Sequence, residues 1–63
     1  MVKVPEKVLQ ELEMIRTSGA INMLDTFAVI RCADQLGMQN AAAWVRNNRT
    51  LYWDGIFAGF EAE

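Results

Sequence analysis

The first half of the chain carries two stretches with apolar residues at helical spacing. The first stretch predicts an amphipathic helix over residues 5–17, where Pro5 suits the first turn and Gly19 suits a left-handed end. A connector over residues 20–24 is too apolar for a solvated loop and is predicted to pack on the core. The apolar stripe of this first helix consists of Val8, Leu9, Leu12 and Ile15.

The second stretch predicts a helix over residues 26–36 that ends at Gly37. Asp25 and Asn22 are both suitable N-cap residues, and Asp25 is preferred because Thr26 then lies just inside the helix. The predicted buried face of this helix consists of Phe27, Val29, Ile30, Ala33 and Leu36.

The second half predicts two further helices, over residues 41–48 with Asn40 as N-cap and over residues 51–61 with Thr50 as N-cap. No run of alternating β-branched residues indicates a sheet. The predicted fold is therefore all-α, a single domain over residues 1–63 that forms a compact bundle of three to four short helices.

Composition argues against catalysis. The chain has no histidine and one cysteine, so it lacks an imidazole base, a disulfide and a zinc site of the Cys/His kind. Cys32 is predicted to be a buried, reduced thiol, and Glu11 and Glu13 diverge on their helix as solvated charges. We expect a protein that is not an enzyme, with no catalytic residues, metal or cofactor.

Charge and hydropathy indicate where the chain acts. No apolar run approaches the ~20 residues that cross a bilayer, and the N-terminal residues lack the apolar core of a signal peptide. We therefore expect a cytoplasmic protein without a membrane partner. The net charge of −2 argues against nonspecific binding to nucleic acid.

A turn between the second and third predicted helices has the spacing of a helix-turn-helix corner. Such a corner requires a small residue, a glycine four positions later and apolar positions beyond, as Ala33, Gly37, Met38 and Ala43 provide. Any tight antiparallel pair of helices favours the same spacing, so both interpretations stay open. A DNA-binding version would present Gln39, Asn40, Arg46, Asn47 and Arg49 to DNA.

The C-terminal segment carries more large apolar side chains than so short a fold is expected to bury. This surplus predicts a contact surface for a second copy of the chain, with a dimer favoured, or for another protein. Acidic residues at Asp54, Glu61 and Glu63 would form a rim suited to a basic surface. The predicted contact residues are Tyr52, Trp53, Ile56, Phe57 and Phe60.

Residues 18–25, with the sequence Ser-Gly-Ala-Ile-Asn-Met-Leu-Asp, resemble a family of small phage and prophage proteins of unknown function. That family joins two helices with the pattern Gly-x-x-Asn-Met-(Leu or aromatic)-Asp, and Leu24 here occupies the variable position. Val29, Ala33 and Gly37 extend the resemblance, which covers roughly residues 5–50.

The resemblance implies a short protein that is expressed by a virus or mobile element inside a bacterium and occupies the surface of a host protein. Anti-CRISPR proteins and other inhibitors of host defence act in this way. Our leading hypothesis is such an inhibitor, whose partner is a host protein. The alternatives are a small helix-turn-helix regulator that binds DNA and a structural subunit of a larger particle.

Overall fold

The computed structural model describes residues 1–63. The chain forms four helices, and its N- and C-terminal segments pair in a small parallel sheet. The fold is mostly helical, but the prediction of an all-α chain is wrong for the two termini. The elements, in chain order, are β1 Val2–Val4, α1 Glu6–Ser18, α2 Thr26–Gln35, α3 Gln39–Asn47, α4 Arg49–Ala58 and β2 Phe60–Ala62.

The sheet pairs the first and last residues of the chain. Val2 is in register with Phe60 and Lys3 with Glu61, so opposite charges lie at neighbouring positions. Parallel strands require a long crossover, and here the whole four-helix body forms it. Three residues per strand are too few to give a recognisable alternation, which is why the sequence did not indicate the sheet.

Gly59 ends the last helix earlier than predicted. Its φ of 96° and ψ of 159° are accessible to glycine and strained for other residues. The helix therefore stops at Ala58 instead of continuing to residue 61, and Phe60 leaves it in an extended conformation. At the other end, α4 begins at Arg49 after Asn48, so the prediction of Thr50 as N-cap is wrong.

The first two helices confirm the prediction to within one residue at each boundary. Gly19 adopts the left-handed conformation with φ 67° at the end of α1. The Asp25 carboxylate accepts a hydrogen bond from the Ala28 N–H at 3.1 Å and caps α2. Asn22 instead accepts from the Leu24 N–H at 2.9 Å, which forms a turn within the connector.

The turn between α2 and α3 is built around Gly37, whose φ is 74°. The Gly37 N–H donates to the Asp34 carbonyl and the Met38 N–H donates to the Ala33 carbonyl, a pair of bonds that defines the Schellman motif. This geometry serves helix-turn-helix units and other tight helix pairs alike. Ala43 of the proposed corner pattern is exposed.

Glu11 caps α3 from another helix. One carboxylate oxygen accepts the Ala41 N–H and the other accepts the Asn40 side-chain amide, both at 2.8 Å. The helix begins at Gln39, so the prediction of Asn40 as its N-cap is wrong, and Met38 offers no side-chain acceptor in that position. The carboxylate satisfies a free helix N–H and lies at the positive end of the helix dipole.

The core joins β1 to all four helices. Cys32, predicted to be buried, is only partly buried and has no disulfide partner. The longest helix has 13 residues, and none is long and apolar enough to cross a membrane. The buried core residues are Val4, Val8, Leu12, Ile15, Val29, Ile30, Ala33, Ala41, Ala42, Val45 and Tyr52.

Candidate functional site

The outer face of α4 carries two stacked aromatic rings in solvent. Arg49, Trp53 and Phe57 recur every four residues, so their side chains lie on one face of the helix. Phe57 is 77% exposed and Trp53 is 41% exposed. Their ring centroids are 5.9 Å apart with planes inclined by 26°, so the two rings form one continuous apolar surface.

Phe27 extends this surface from the start of α2. The Arg49 guanidinium carbon lies 4.8 Å from the centre of the Phe27 ring, which is 63% exposed. Neither of the two ion pairs in the protein involves Arg49. We refer to Phe27, Arg49, Trp53 and Phe57 together as the aromatic ridge.

The inner face of α4 holds Tyr52, which is fully buried. Its hydroxyl donates to the Met23 carbonyl at 2.6 Å, so the phenol is anchored to the connector between α1 and α2. Burial raises the pKa of Tyr52 to about 12, because the phenolate would lose its hydration. Tyr52 therefore contributes no surface to a partner in this conformation.

Phe60 also packs inward, although it was predicted to lie on the α4 face. The turn at Gly59 carries it back over the helix, where its ring lies 5.9 Å from that of Tyr52 and 6.2 Å from that of Trp44. Ile56 is partly buried beside it. The predicted contact set is thus divided, with Trp53 and Phe57 in solvent and Tyr52, Ile56 and Phe60 packed in or against the core.

The acidic residues of the predicted rim lie on two elements. Asp54 is exposed on α4, next in sequence to Trp53. Glu61 is partly buried in β2, in register with Lys3, and Glu63 is exposed at the C-terminus. None of the three forms an ion pair, so their negative charge is free to act on a partner.

The residues predicted to contact DNA are largely engaged within the protein. Arg46 donates to the Asp34 carboxylate at 3.0 Å, and Asn40 donates to Glu11. Arg49 stacks on Phe27. Gln39 and Asn47 are exposed, and neither makes a side-chain hydrogen bond.

No group of three or more His, Cys, Asp or Glu side chains lies close enough to hold a metal ion. Glu13 and Arg16 form an exposed ion pair at 2.6 Å, and the bond to Glu13 raises the pKa of Arg16.

Sequence reasoning missed half of the aromatic ridge. Phe27 was assigned to the buried face of its helix, together with Leu36, yet both are exposed. Arg49 was interpreted as a possible DNA contact. Two sets of residues on α4 have the same four-residue spacing in the sequence, and nothing in the spacing shows which set faces solvent. One set is Arg49, Trp53 and Phe57, and the other is Tyr52, Ile56 and Phe60.

Comparison with known proteins gives one match. The model of a family described as a domain of unknown function (DUF5049) matches residues 4–60. No curated protein and no solved structure matches the chain. The match covers all four helices and both strands in part, so it applies to the fold as a whole.

Proposed function

The chain belongs to the DUF5049 family, and we propose that it is a non-enzymatic protein that acts by binding another protein through the aromatic ridge. In this proposal the chain is encoded by a phage or prophage and works in the cytoplasm of the bacterial host. Its partner is a host protein, and the leading candidate is a defence effector. The chain inhibits this partner by covering the surface through which the partner acts.

The observation that carries the proposal is the exposed, stacked pair of Trp53 and Phe57. Fully burying a large aromatic side chain contributes about 2–3 kcal/mol, and this fold leaves most of Phe57 and part of Trp53 exposed to water. Trp and Arg are among the residues most enriched at binding hot spots, and exposed apolar surface that has an aromatic centre is typical of an interface. Neither ring supports the core that Tyr52 occupies.

The shape of the aromatic ridge favours a groove on the partner. Trp53 and Phe57 are four residues apart on one helix, a spacing that belongs to the i, i+3, i+4 and i+7 anchors by which an amphipathic helix lies in a hydrophobic groove. Asp54 follows Trp53 directly on α4 and adds negative charge beside these anchors, so we expect basic side chains beside the groove. A defence effector that binds nucleic acid carries basic surfaces of this kind.

The resemblance to small phage and prophage proteins supports the inhibitory role. A 63-residue chain without imidazole or a metal-binding cluster has few means to change a target chemically. Occupation of a surface needs only shape, apolar area and charge, which the aromatic ridge and its acidic neighbours provide.

Site-specific photo-crosslinking in the bacterial host would test the proposal. We would place a photo-reactive phenylalanine at position 57 and, as a control, at Met14, which is 58% exposed on α1. We expect a specific adduct from position 57 only. The captured protein would then be purified and its affinity measured for the wild type, the double variant Trp53→Ala/Phe57→Ala and the control Met14→Ala.

The double variant is expected to bind at least about 100-fold more weakly, because two hot-spot rings together contribute roughly 3 kcal/mol or more. Met14→Ala should bind like the wild type, and both variants should keep the helical circular dichroism of the parent. Equal binding and inhibition by the wild type and the double variant would refute the proposal. An adduct between two copies of the chain would instead assign the aromatic ridge to the homodimer that the sequence favoured.

The DNA-binding regulator remains the alternative function. It predicts that the protein shifts phage operator DNA at low salt and that Arg46→Ala weakens this binding. The Arg46–Asp34 ion pair and the Asn40–Glu11 bond make protein binding the better supported function, because a DNA complex would compete with both.

A further inference from the structure

The outer edge of β2 carries backbone groups that make no hydrogen bond within the sheet. On the edge that faces β1, the ladder uses the carbonyl of Gly59, both backbone groups of Glu61 and the N–H of Glu63. Successive residues of a strand direct their backbone groups to opposite edges, so those of Phe60 and Ala62 point away from β1. These N–H and C=O groups take part in none of the backbone hydrogen bonds of the protein.

The outer edge of β1 is shorter. Lys3 is the one residue of that strand whose N–H and C=O point away from β2. The next outward position is Pro5, which has no N–H to donate. The outer edge of β2 is therefore the longer of the two free edges, and an unpaired strand edge is a ready surface for pairing with another strand.

We propose that the outer edge of β2 binds an extended segment of another protein, which adds a third strand antiparallel to β2. Strand addition of this kind takes its affinity from main-chain hydrogen bonds. In an antiparallel pair, two opposite residues exchange both of their N–H···O bonds, so Phe60 and Ala62 would together form four bonds with a three-residue segment. A parallel segment of the same length would form two.

The residues of β2 determine which side chains the added strand should carry. Successive side chains of a strand lie on opposite faces of the sheet. Val4 is in register with Ala62 and is fully buried, so this face of the sheet lies towards the core. Apolar side chains are therefore expected opposite Phe60 and Ala62. The position opposite Glu61 lies on the other face, and a basic residue is favoured there because Glu61 forms no ion pair.

The strand on the inner edge already has this pattern. Its residues Val2, Lys3 and Val4 are apolar, basic and apolar, and Lys3 is in register with Glu61. A strand of the same pattern on the outer edge would place a second cation beside Glu61. The existing sheet thus shows which sequence pattern pairs with β2.

A second copy of the chain fits this edge less well. Two β2 edges related by a two-fold axis would place Glu61 directly opposite its counterpart, where like charges are destabilising. The outer edge of β1 in a second copy would place Lys3 beside Glu61, but it offers the backbone groups of Lys3 alone and so forms half as many bonds. A strand of another protein combines all the bonds with the opposite charge.

A short peptide of the proposed pattern, acetyl-Thr-Val-Lys-Val-Thr-amide, would test the inference on the purified protein. We would titrate it into ¹⁵N-labelled protein and follow the backbone amide NMR signals. We expect saturable shifts at the N–H groups of Phe60 and Ala62, because each gains an acceptor. The aromatic ridge takes no part in this test, so its outcome leaves the crosslinking experiment unaffected.

Methylated peptides provide the matched control. N-methylation of the two valines removes the N–H groups that would donate to Phe60 and Ala62, and it should weaken binding at least about fivefold. N-methylation of the lysine removes an N–H that points away from β2 and should leave binding unchanged. Replacement of the lysine by glutamate should weaken binding at least about threefold, because it places a like charge opposite Glu61.

Ala62→Pro tests the edge from the side of the protein. It removes one outward N–H, which the ladder with β1 does not use, and proline is tolerated on edge strands. We expect peptide binding to weaken at least about fivefold. Hydrogen exchange at the Val4 and Glu61 amides should match the wild type if the native sheet is kept. If it is lost, Glu61→Gln is the second variant, and it should remove the preference for lysine over glutamate in the peptide.

The absence of peptide-dependent shifts at the Phe60 and Ala62 amides would overturn the proposal. Equal weakening by valine and lysine methylation would overturn the antiparallel arrangement, and equal binding of the lysine and glutamate peptides would overturn the charge preference. Shifts at Phe60, Ala62 and Lys3 that grow with protein concentration without any peptide would assign the edge to a second copy of the chain instead.

Discussion

Tyr52 and Trp53 are neighbours in sequence and have opposite roles. Tyr52 is fully buried, its hydroxyl bound to the Met23 carbonyl, whereas the Trp53 ring lies in solvent against Phe57. The helix turns by about 100° per residue, so adjacent rings necessarily face different surroundings. The comparison shows that the aromatic side chains of α4 are divided between an inner face that supports the core and an outer face that stays exposed.

The inner face is completed by a residue that is not in the helix. Because Gly59 ends α4, Phe60 returns over Gly55 and covers the Tyr52 ring. The outer face has no such cover. A single turn of backbone therefore determines which aromatic side chains remain exposed.

The sharpest test of this division is to truncate each neighbour to alanine. Tyr52→Ala should lower the free energy of unfolding by about 3–5 kcal/mol, because it removes a buried ring and its hydrogen bond. That loss is comparable with the whole stability of a chain this short, roughly 3–9 kcal/mol. Trp53→Ala should lower it by less, about 1–2 kcal/mol, because 41% of this side chain is already exposed to water. Chemical denaturation followed by circular dichroism measures both.

The two faces would not differ as described if both substitutions had similar effects. A large destabilisation by Trp53→Ala would place its ring in the core of the monomer or in an interface that is needed for folding. Repeating the measurement over a range of protein concentrations separates these two cases, since only an interface makes stability depend on concentration.

Alkaline pH should lower the free energy of unfolding through ionisation of Tyr52 on the inner face of α4. The pKa of Tyr52 is raised to about 12 in the folded protein from an ordinary value of 10.0. A raised folded pKa gives a contribution that is fully present below pH 10 and is lost as the pH rises from 10 to about 12. The full contribution is on the order of 2–3 kcal/mol. Tyr52 is the only tyrosine, so tyrosinate absorbance reports its ionisation directly.

Tyr52→Phe is the control for this prediction. It should lower stability at neutral pH by about 1 kcal/mol through loss of the bond to Met23, and it should remove the tyrosine-dependent loss of stability above pH 10. Parallel decline of the wild type and Tyr52→Phe between pH 10 and 12 would show that other groups cause the alkaline unfolding.

The helices were predictable where the signal is local. Gly19 and Gly37 mark helix ends because glycine readily adopts a positive φ. Asp25 caps α2 by accepting a hydrogen bond from the Ala28 N–H three residues later. Three of the four residues in the predicted apolar stripe of α1 are buried, and the fourth, Leu9, is partly buried. Each of these features depends on residues within one or two turns of each other, which is the range over which a sequence pattern carries structural information.

The parts that were wrong depend on distant contacts. The sheet joins residues 58 positions apart at its first register pair, Val2 and Phe60, and three-residue strands leave no pattern. Phe27 is exposed and stacks with Arg49 of α4, a contact 22 positions away that the sequence of α2 does not indicate. The aromatic ridge was half predicted for the same reason, because helical spacing defines two faces of α4 and only packing decides which one is buried.

Glu11 and Glu13 repeat the comparison on α1, two residues apart. Glu11 reaches across to the start of α3, where it accepts the Ala41 N–H and the Asn40 amide. The Glu13 carboxylate bonds only to Arg16 on its own helix, and both side chains lie largely in solvent. The sequence predicts that both residues are solvated charges, which is wrong for Glu11 because its carboxylate caps α3.

Replacing each glutamate by alanine should give the smallest difference among these tests. Glu11→Ala is expected to lower the free energy of unfolding by about 1–2 kcal/mol, because it leaves a helix N–H without its acceptor and removes a charge that favours the positive helix end. Glu13→Ala should cost less than about 0.5 kcal/mol, as exposed ion pairs contribute little. Thermal unfolding would separate the two by several degrees, since about 1 kcal/mol shifts the midpoint of a domain this size by roughly 4–8 °C. Glu11→Gln keeps an acceptor oxygen, so its unfolding midpoint should lie between those of Glu11→Ala and Glu13→Ala. A midpoint as low as that of Glu11→Ala would assign the stabilisation to the charge of Glu11. Equal midpoints for Glu11→Ala and Glu13→Ala would mean that the cap from α1 does not stabilise α3.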